Sequence, residues 1–512
     1  MQKGVKPFDV FLYLLAVFVI LFLISLVFPP EGIDIGGKIR LYFKTKGDIL
    51  DQQQHEYADI SHLLEPGYTE PDTIRKGIND SLAAPPELPG GVLDAPEEVK
   101  EYHPKTSADY TEVLAADESE IRELIFPLQF PPGYDYALDR FYNELSALEN
   151  TDRSLRVLHY GDSQIENNRI SSALRRRFQA KFGGTGTGLF PVISPAPHSA
   201  SIRVIPEGKW KRVTPLGNYT IHADDNRYGL LMSWSEIEAE ADGSIEGSFT
   251  IEPTGLGSWR SRRMDELSLL FGFNRGPFTL ELRSAGKTID AELFFPEDRL
   301  KTIKWALDGE SGQYSLHFAG EGSPRIFSVS LDNPSGVAFD NVPMRGSSGL
   351  EFAGTDPEFM RQMISNLNVS LILFQFGVNV VPHIVDDYTY YENQLVRQLD
   401  FFRTVDPDIC VIVVGVSDMS RRVPGGYFES YPNIELIRNA QRNAAFRAGF
   451  PFWDLYEAMG GKNSMPSWVA ASPPLAQKDY THFTFRGSDL MGAMLYNAII
   501  SGYSNYRDTS LD

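Results

Sequence analysis

The stretch "VLHYGDSQIENNRI", residues 157–170, is an apolar run that stops at Gly161-Asp162-Ser163 and passes into a polar segment able to open a helix. Local chemistry allows two readings of Ser163. Asp and Ser are favoured helix N-caps, because their side-chain oxygens accept orphan backbone N–H groups. A serine between a buried strand and a helix start is also well placed as a nucleophile, since the helix dipole and free N–H groups would stabilise developing negative charge. A Gly-Asp-Ser tripeptide arises by chance in about one chain in ten of this length, so the rest of the sequence has to decide.

Working outward, "SLRVLHY" (154–160) reads as a buried strand. Ile165, Ile170, Leu174, Phe178 and Phe182 then recur largely at helical spacing. "GGTGTGLFP" (183–191) lacks the Lys-Ser/Thr of a phosphate loop and reads as the turn closing that helix. Upstream, "TEVLAADESEIRELIF" (111–126) and "YALDRFYNELSALEN" (136–150) read as helices leading into the body. Residues 192–342 have another texture. "DELSLLFGF", "PFTLELRSAG", "TIDAELFFP", "YSLHFAG" and "PRIFSVSLD" are short, often alternating apolar segments separated by Gly, Pro, Asn and Asp, the pattern of an all-β sandwich. Beyond 342 strand and helix alternate: "NVSLILFQFG", "YYENQLVRQLDFFRTV", "DICVIVVGVSD", "IELIRNAQRNAAFRAG", "FPFWDLY" and "GSDLMGAMLYNAIISG". Alternation of this kind implies a parallel sheet covered by helices, here interrupted after its first strand and helix.

The bulk properties set limits. A chain of 512 residues is too long for one ordinary domain. Its net charge of −21, from 47 Lys+Arg and 68 Asp+Glu, argues against a nucleic-acid partner, which would need a basic face. The single Cys410 lies in an apolar run and reads as a buried small hydrophobe; it excludes an internal disulfide and cysteine metal or redox motifs. The nine histidines show no metal-ligand spacing, and neither metal nor cofactor is expected. His159 reads as a core histidine; His198, His222 and His317 have no motif around them.

At the N-terminus, Lys3 and Lys6 precede an apolar run of 21 residues, 8–28. That length spans a bilayer core, and Pro29-Pro30-Glu31 follows instead of a small-residue cleavage site. Residues 1–30 are therefore expected to be a cytoplasmic tip and transmembrane anchor, with the body outside the cytoplasmic membrane by the positive-inside rule. Residues 31–112, rich in Pro, Gly and acids, read as a flexible tether. Within them "GGKIRLYFKTKGDIL" (36–50) suits a local strand or membrane-surface element.

Reactive groups in open parallel sheets gather at the carboxyl ends of strands. Three expected strands end suitably: at Gly161-Asp162-Ser163, at "QFGVNVV" with Gly377 and Asn379, and at Ser417-Asp418. Near the C-terminus "DYTHFTFRG" offers Asp479 and His482, three apart as in a helical turn. An aspartate there would fix the imidazole tautomer while histidine takes the serine proton. Asp418 could line the pocket or cap the next helix; Asn167 and Asn168 read as first-turn helix residues.

At this point the chain resembles the SGNH (GDSL-type) hydrolase family. "YGDSQ" is similar to its first block, "FGVNV" to its Gly-x-Asn block, and "DYTH" to its Asp-x-x-His block. "MRGSSGLEF" looks like its glycine block; Val380 stands where the family often has Asp. The resemblance implies a flavodoxin-like three-layer α/β domain, 113–191 and 343–505, with a Ser163, His482 and Asp479 triad. It implies an oxyanion hole from Ser163, Gly349 and Asn379, with Gly346 as the alternative donor and Asp162 beside the pocket. An inserted β-sandwich, 192–342, resembles the carbohydrate-binding-like module of bacterial polysaccharide and peptidoglycan O-acetylesterases. Trp210, Trp234, Trp259 and Trp305 lie in it as core or sugar-stacking residues. The implied function is an inner-membrane-anchored, extracytoplasmic esterase or acetyltransferase acting on acetylated polysaccharide or peptidoglycan, with a multi-pass membrane O-acyltransferase as a conceivable partner. The alternatives are a non-catalytic glycan-binding scaffold and a lipase or thioesterase of the same fold.

Overall fold

The computed structural model describes residues 126–510 apart from 196–197, 218–221 and 310–311, with a few short pieces upstream. The expected anchor and the helix at 111–126 lie outside the described residues except at isolated positions, as does most of the tether. Within the tether Ile33–Ile35 and Ile39–Leu41 pair as an antiparallel hairpin, so the expected local strand is present. Ser467 Oγ donates to the Ala58 carbonyl at 2.7 Å, and Ile60 and Leu63 are buried in the core. Among the described residues no helix is long and apolar enough to cross a membrane.

The body opens with helix α1 (Asp139–Ala147), strand β1 (Ser154–Gly161) and helix α2 (Arg169–Phe182). After the insert come β2 (Gly336–Pro343), α3 (Pro357–Asn366), β3 (Val369–Gln375), α4 (Thr389–Val405), β4 (Cys410–Val414), α5 (Ile434–Arg447), β5 (Phe452–Trp453), α6 (Ser464–Ala470) and α7 (Phe485–Ser510). The five strands form one parallel sheet in the order β2-β1-β3-β4-β5. This is the flavodoxin-like order, whose reversal of strand order between β1 and β3 places a crevice at their carboxyl ends.

Strand β4 is apolar on both faces because helices cover both. Along β4, Cys410, Ile412 and Val414 point into a core with Phe141 of α1, Leu174 and Phe178 of α2 and Met494 of α7. Val411 and Val413 point the other way, toward Phe359 of α3, Leu399 and Phe402 of α4 and Ile437 of α5. Burial pushes the Cys410 thiol up to about 12, consistent with an inert core residue.

Two boundaries differ from the sequence reading. The expected insert, 192–342, took in all but the last residue of Gly336–Pro343, yet this segment is β2, parallel to β1 with Gly336 opposite Ser154. The reading fails there because β2 carries buried polar residues and follows β-rich sequence without a helix. "GGTGTGLFP" was expected to be a turn only. Gly183 does terminate α2 at φ 77°, but Gly186–Phe190 is a strand paired with Arg325–Asp332. The insert therefore runs from 186 to 332.

It consists of two antiparallel sheets. The first is ordered 287–294, 278–284, 314–320, 245–253, 202–208; the second 297–306, 266–274, 325–332, 234–237, 210–213, with 186–190 added on 325–332. Phe249, Phe271, Phe278 and Phe318 fill the space between them. The insert is also fused to the parallel domain. Leu230, Met232, Trp234 and Phe327 share one core with Leu158, Tyr160 and Phe374, and the Tyr160 hydroxyl donates to the Leu230 carbonyl at 2.8 Å. Where the insert ends, buried Arg156 of β1 bridges Asp332 at 2.6 Å and Asp340 of β2 at 2.7 Å.

Candidate active site

The carboxyl end of β1 approaches β3 so closely that a Cβ on Gly161 would lie 2.8 Å from the Gln375 carbonyl oxygen; only glycine fits. Asp162 then turns inward. Its Oδ1 accepts from Gln164 N at 3.0 Å and its Oδ2 from Val378 N at 3.2 Å, while its own N–H donates to Gln375 O. Burial pushes its carboxyl up to about 6 against the pull of these amides. Asp162, not Ser163, is the cap, and the hydroxyl of half-buried Ser163 is not spent on capping.

Ser163 opens a short 3₁₀ segment, Ser163–Asn168, rather than the long helix. Glu166 leaves helical geometry at ψ 151°, and Asn167 and Asn168 take left-handed φ of 58° and 59°. The two asparagines are thus not first-turn helix residues. The expected contribution of the long helix's dipole at Ser163 also lapses, because α2 starts only at Arg169 and such effects fade within one turn.

Opposite Ser163 stands the turn before α7. Asp479 Oδ1 accepts the backbone N–H groups of Thr481 and His482, both at 3.0 Å. Its Oδ2 receives His482 Nδ1 at 2.7 Å, and His482 Nε2 lies 2.8 Å from Ser163 Oγ. One carboxylate therefore shapes the turn and orients the ring. The turn is not helical: Tyr480 has φ 56° and stacks on Phe428 with ring centroids 3.6 Å apart. Partial burial works to raise the Asp479 pKa, but the ring and backbone N–H bonds from His482 and Thr481 hold it below the usual carboxylate range. Buried Gln164 ties the two loops together, its amide donating to Thr481 O at 2.6 Å and Ser417 Oγ at 2.9 Å.

The third side comes from the loops after β2 and β3. Met344 N donates to Gly161 O at 2.7 Å, which sets the loop "MRGSSG" beside the serine turn. Asn379 Nδ2 donates to Ser347 O at 2.8 Å, using one of its two hydrogens and leaving one for a ligand. Gly349 does not suit the role expected of it. Its N–H is spent on Ser347 Oγ at 2.8 Å, and the residue is packed against Phe374 and Phe376. Gly346, the alternative, is exposed at φ 82° in the turn closed by Ser347 N to Met344 O, and its amide has no acceptor among the described residues.

Asp418 is fully buried and lies outside this cluster. It accepts from Met465 N at 2.8 Å and from Met419 N, capping α6 rather than the next helix in sequence, and burial raises its carboxyl to about 6. His159 is held between Gln375 at 3.0 Å and Ser171 at 2.9 Å, and burial lowers its pKa to about 4, so it is a neutral core residue. His198 is likewise kept neutral by burial and by Arg175. Trp210 packs on Phe249 and Phe318, Trp234 is buried and Trp305 bonds Asp290; Trp259 is the exposed one, beneath the Arg260 guanidinium. The sequence reading passed over Gln164 and Ser347, whose roles rest on contacts with distant loops.

No family model and no curated protein matches the chain. Among solved structures, a peptidoglycan O-acetylesterase superposes with a TM-score of 0.58 at 19% identity, covering 74% of this chain and 99% of that one. A family two carbohydrate esterase from Clostridium thermocellum and a family 29 carbohydrate-binding module also match. They do so at TM-scores of 0.23 and 0.20, with 10% and 15% identity, 58% and 30% of this chain and 98% and 88% of theirs, too low to carry an argument. The first likeness shows that the chain shares the fold of that esterase.

Proposed function

We propose that the chain is a serine esterase or acetyltransferase that removes or transfers O-acetyl groups on a cell-envelope glycan. The observation carrying this reading is the hydrogen-bonded series Ser163–His482–Asp479 at the crevice of the sheet. In the reaction, His482 Nε2 takes the Ser163 proton as Oγ attacks the acetyl carbonyl. The resulting oxyanion is met by Asn379 Nδ2 and the backbone N–H groups of Ser163 and Gly346. Imidazolium formation is stabilised by Asp479. His482 then returns the proton to the departing sugar oxygen, leaving acetyl-Ser163. Water or a second sugar hydroxyl, deprotonated by the same histidine, releases acetate or acetylated acceptor.

The glycan reading is supported by the β-sandwich insert and by the activity of the peptidoglycan O-acetylesterase whose fold is shared. The apolar run at 8–28 supports an anchor in the inner membrane with the body outside, where a multi-pass O-acyltransferase could pass it acetyl groups. Two measurements test the proposal. Incubation with p-nitrophenyl acetate should release p-nitrophenol and leave a trappable acetyl ester on Ser163. Absence of both from the folded chain would instead favour a non-catalytic glycan-binding scaffold. Carbonate extraction of membranes should leave the whole chain bound and release a variant lacking residues 1–30; release of both would remove the anchor.

A further inference from the structure

The insert contains a cavity of about 540 Å³ that plays no part in the serine chemistry. Its walls include Arg227, Phe273, Arg275, Glu297, Asp298 and Arg325. We propose that it binds a carboxylate-bearing sugar unit of the substrate, an inference that rests on the glycan reading above and names the chemistry of that glycan.

Three observations carry it. First, the cavity is preformed by strained backbone. Phe273 has φ 57°, costly for a bulky residue, and the register of its strand against Glu297–Ala306 slips between Asn274 and Gly272. Such outliers persist where the surroundings hold them, often at ligand sites. The result is a ring with the Arg227 guanidinium 5.2 Å and the Arg325 guanidinium 5.5 Å from its centre.

Second, the lining cations have N–H donors to spare, whereas the lining acids are mostly paired already. Asp225 is paired with Arg325 at 2.6 Å, and Glu297 is paired with both Arg299 and Lys301. Arg227 makes one loose ion pair, with Asp356 at 3.9 Å, and shares the charge of Asp225 with Arg325, while Arg275 is exposed with no ion pair among the described residues. In a chain of net charge −21, two under-used guanidiniums at one cavity favour an anion, and guanidinium matches carboxylate geometry with paired N–H donors. Asp298 faces the same space as an acceptor for sugar hydroxyls.

Third, the cavity is joined to the loop that leads from the crevice to α3. Asp356 caps α3 at the end of the loop that starts beside Gly161, and its N–H donates to Asn226 O at 3.0 Å, next to Arg227. A polymer held at Ser163 would place a further unit in this cavity on the proposed reading.

The test uses the whole chain carrying Ser163→Ala, so that binding is read without turnover. Calorimetry would compare a galacturonate tetramer, the same tetramer methyl-esterified, and a muramyl glycan whose carboxylate is a lactyl ether. At least one acidic probe should bind roughly tenfold or more tightly than the ester, and Arg227→Gln and Arg275→Gln should each remove about tenfold of that affinity. Which acidic probe binds identifies the source of the carboxylate. Equal binding of acid and ester, no binding of either acid, or indifference to both substitutions would overturn the proposal. Both arginine variants, made with Ser163 intact, should keep p-nitrophenyl acetate turnover unchanged. Loss of turnover in the unsubstituted chain would overturn the esterase reading alone.

Discussion

The parallel sheet and the inserted sandwich solve burial in different ways. Strand β3, "VSLILFQ", is buried at every position because helices cover both faces. In the insert, Phe278–Ser284 alternates buried and half-buried residues, and its edge neighbour Lys287–Phe294 is exposed at seven of eight positions. The first arrangement leaves only strand ends open, so reactive side chains converge there. The second leaves faces and loop ends open, where a polar cavity can form. What joins them is a shared apolar core, so the insert is not a detachable module.

Excision of residues 186–332 is the harshest way to break this comparison. It would strip Leu158, Tyr160 and Phe374 of Leu230, Met232 and Phe327, and take Asp332 from Arg156. The expected outcome is loss of cooperative thermal unfolding by circular dichroism; a soluble, active remainder would show the two parts to be independent. Ser163→Ala should leave unfolding unchanged and lower p-nitrophenyl acetate turnover by about ten-thousand-fold, with Asp479→Asn approaching the same loss through the wrong imidazole tautomer. Asn379→Ala, which removes one oxyanion donor, should cost about a hundred- to thousand-fold in kcat with a smaller effect on KM.

The mildest test concerns pH. Asp162 and Asp418 have folded-state pKa values of about 6, above the ordinary 3.8. The folded chain then holds protons that the unfolded chain releases, so the stability these groups give is present below about pH 4 and lost as pH rises toward 6. Each carries on the order of 2–3 kcal/mol at most. Asp418→Asn, which keeps an acceptor for Met465 N, should flatten the denaturation midpoint between pH 4 and 6; an unchanged slope would mean that Asp418 does not titrate there.

The sequence revealed those parts whose burial is uniform or whose motif is local. Strands β3 and β4 were legible because an unbroken apolar run needs two covered faces. Ser163, Asp479 and His482 were legible as residue types at strand and turn ends, and the structure brings them within hydrogen-bonding distance. Strand β2 was not, because Asp340 and Asn341 interrupt its apolar run, and their partners Arg156 and Ser171 lie far away in sequence. The resemblance favoured Gly349 over Gly346 in "MRGSSG", and nothing in the sequence signalled that the Ser347 hydroxyl occupies the Gly349 amide. Asp418 looked like a site residue because polar strand ends serve caps and pockets alike.

The sheet order has a consequence for the history of each newly made chain. Both neighbours of β1, namely β2 and β3, lie beyond the insert, with Ser154 waiting for Gly336. Every strand of the insert, by contrast, finds its partners between 186 and 332. During synthesis the sandwich can therefore close while the strand leading to Ser163 still has no neighbour. The loop to be closed is roughly 180 residues long as a free coil, but a folded insert brings its ends together and removes most of that entropic cost. An insert folded first would then offer Leu158 and Tyr160 their first apolar surface, a template for the parallel sheet.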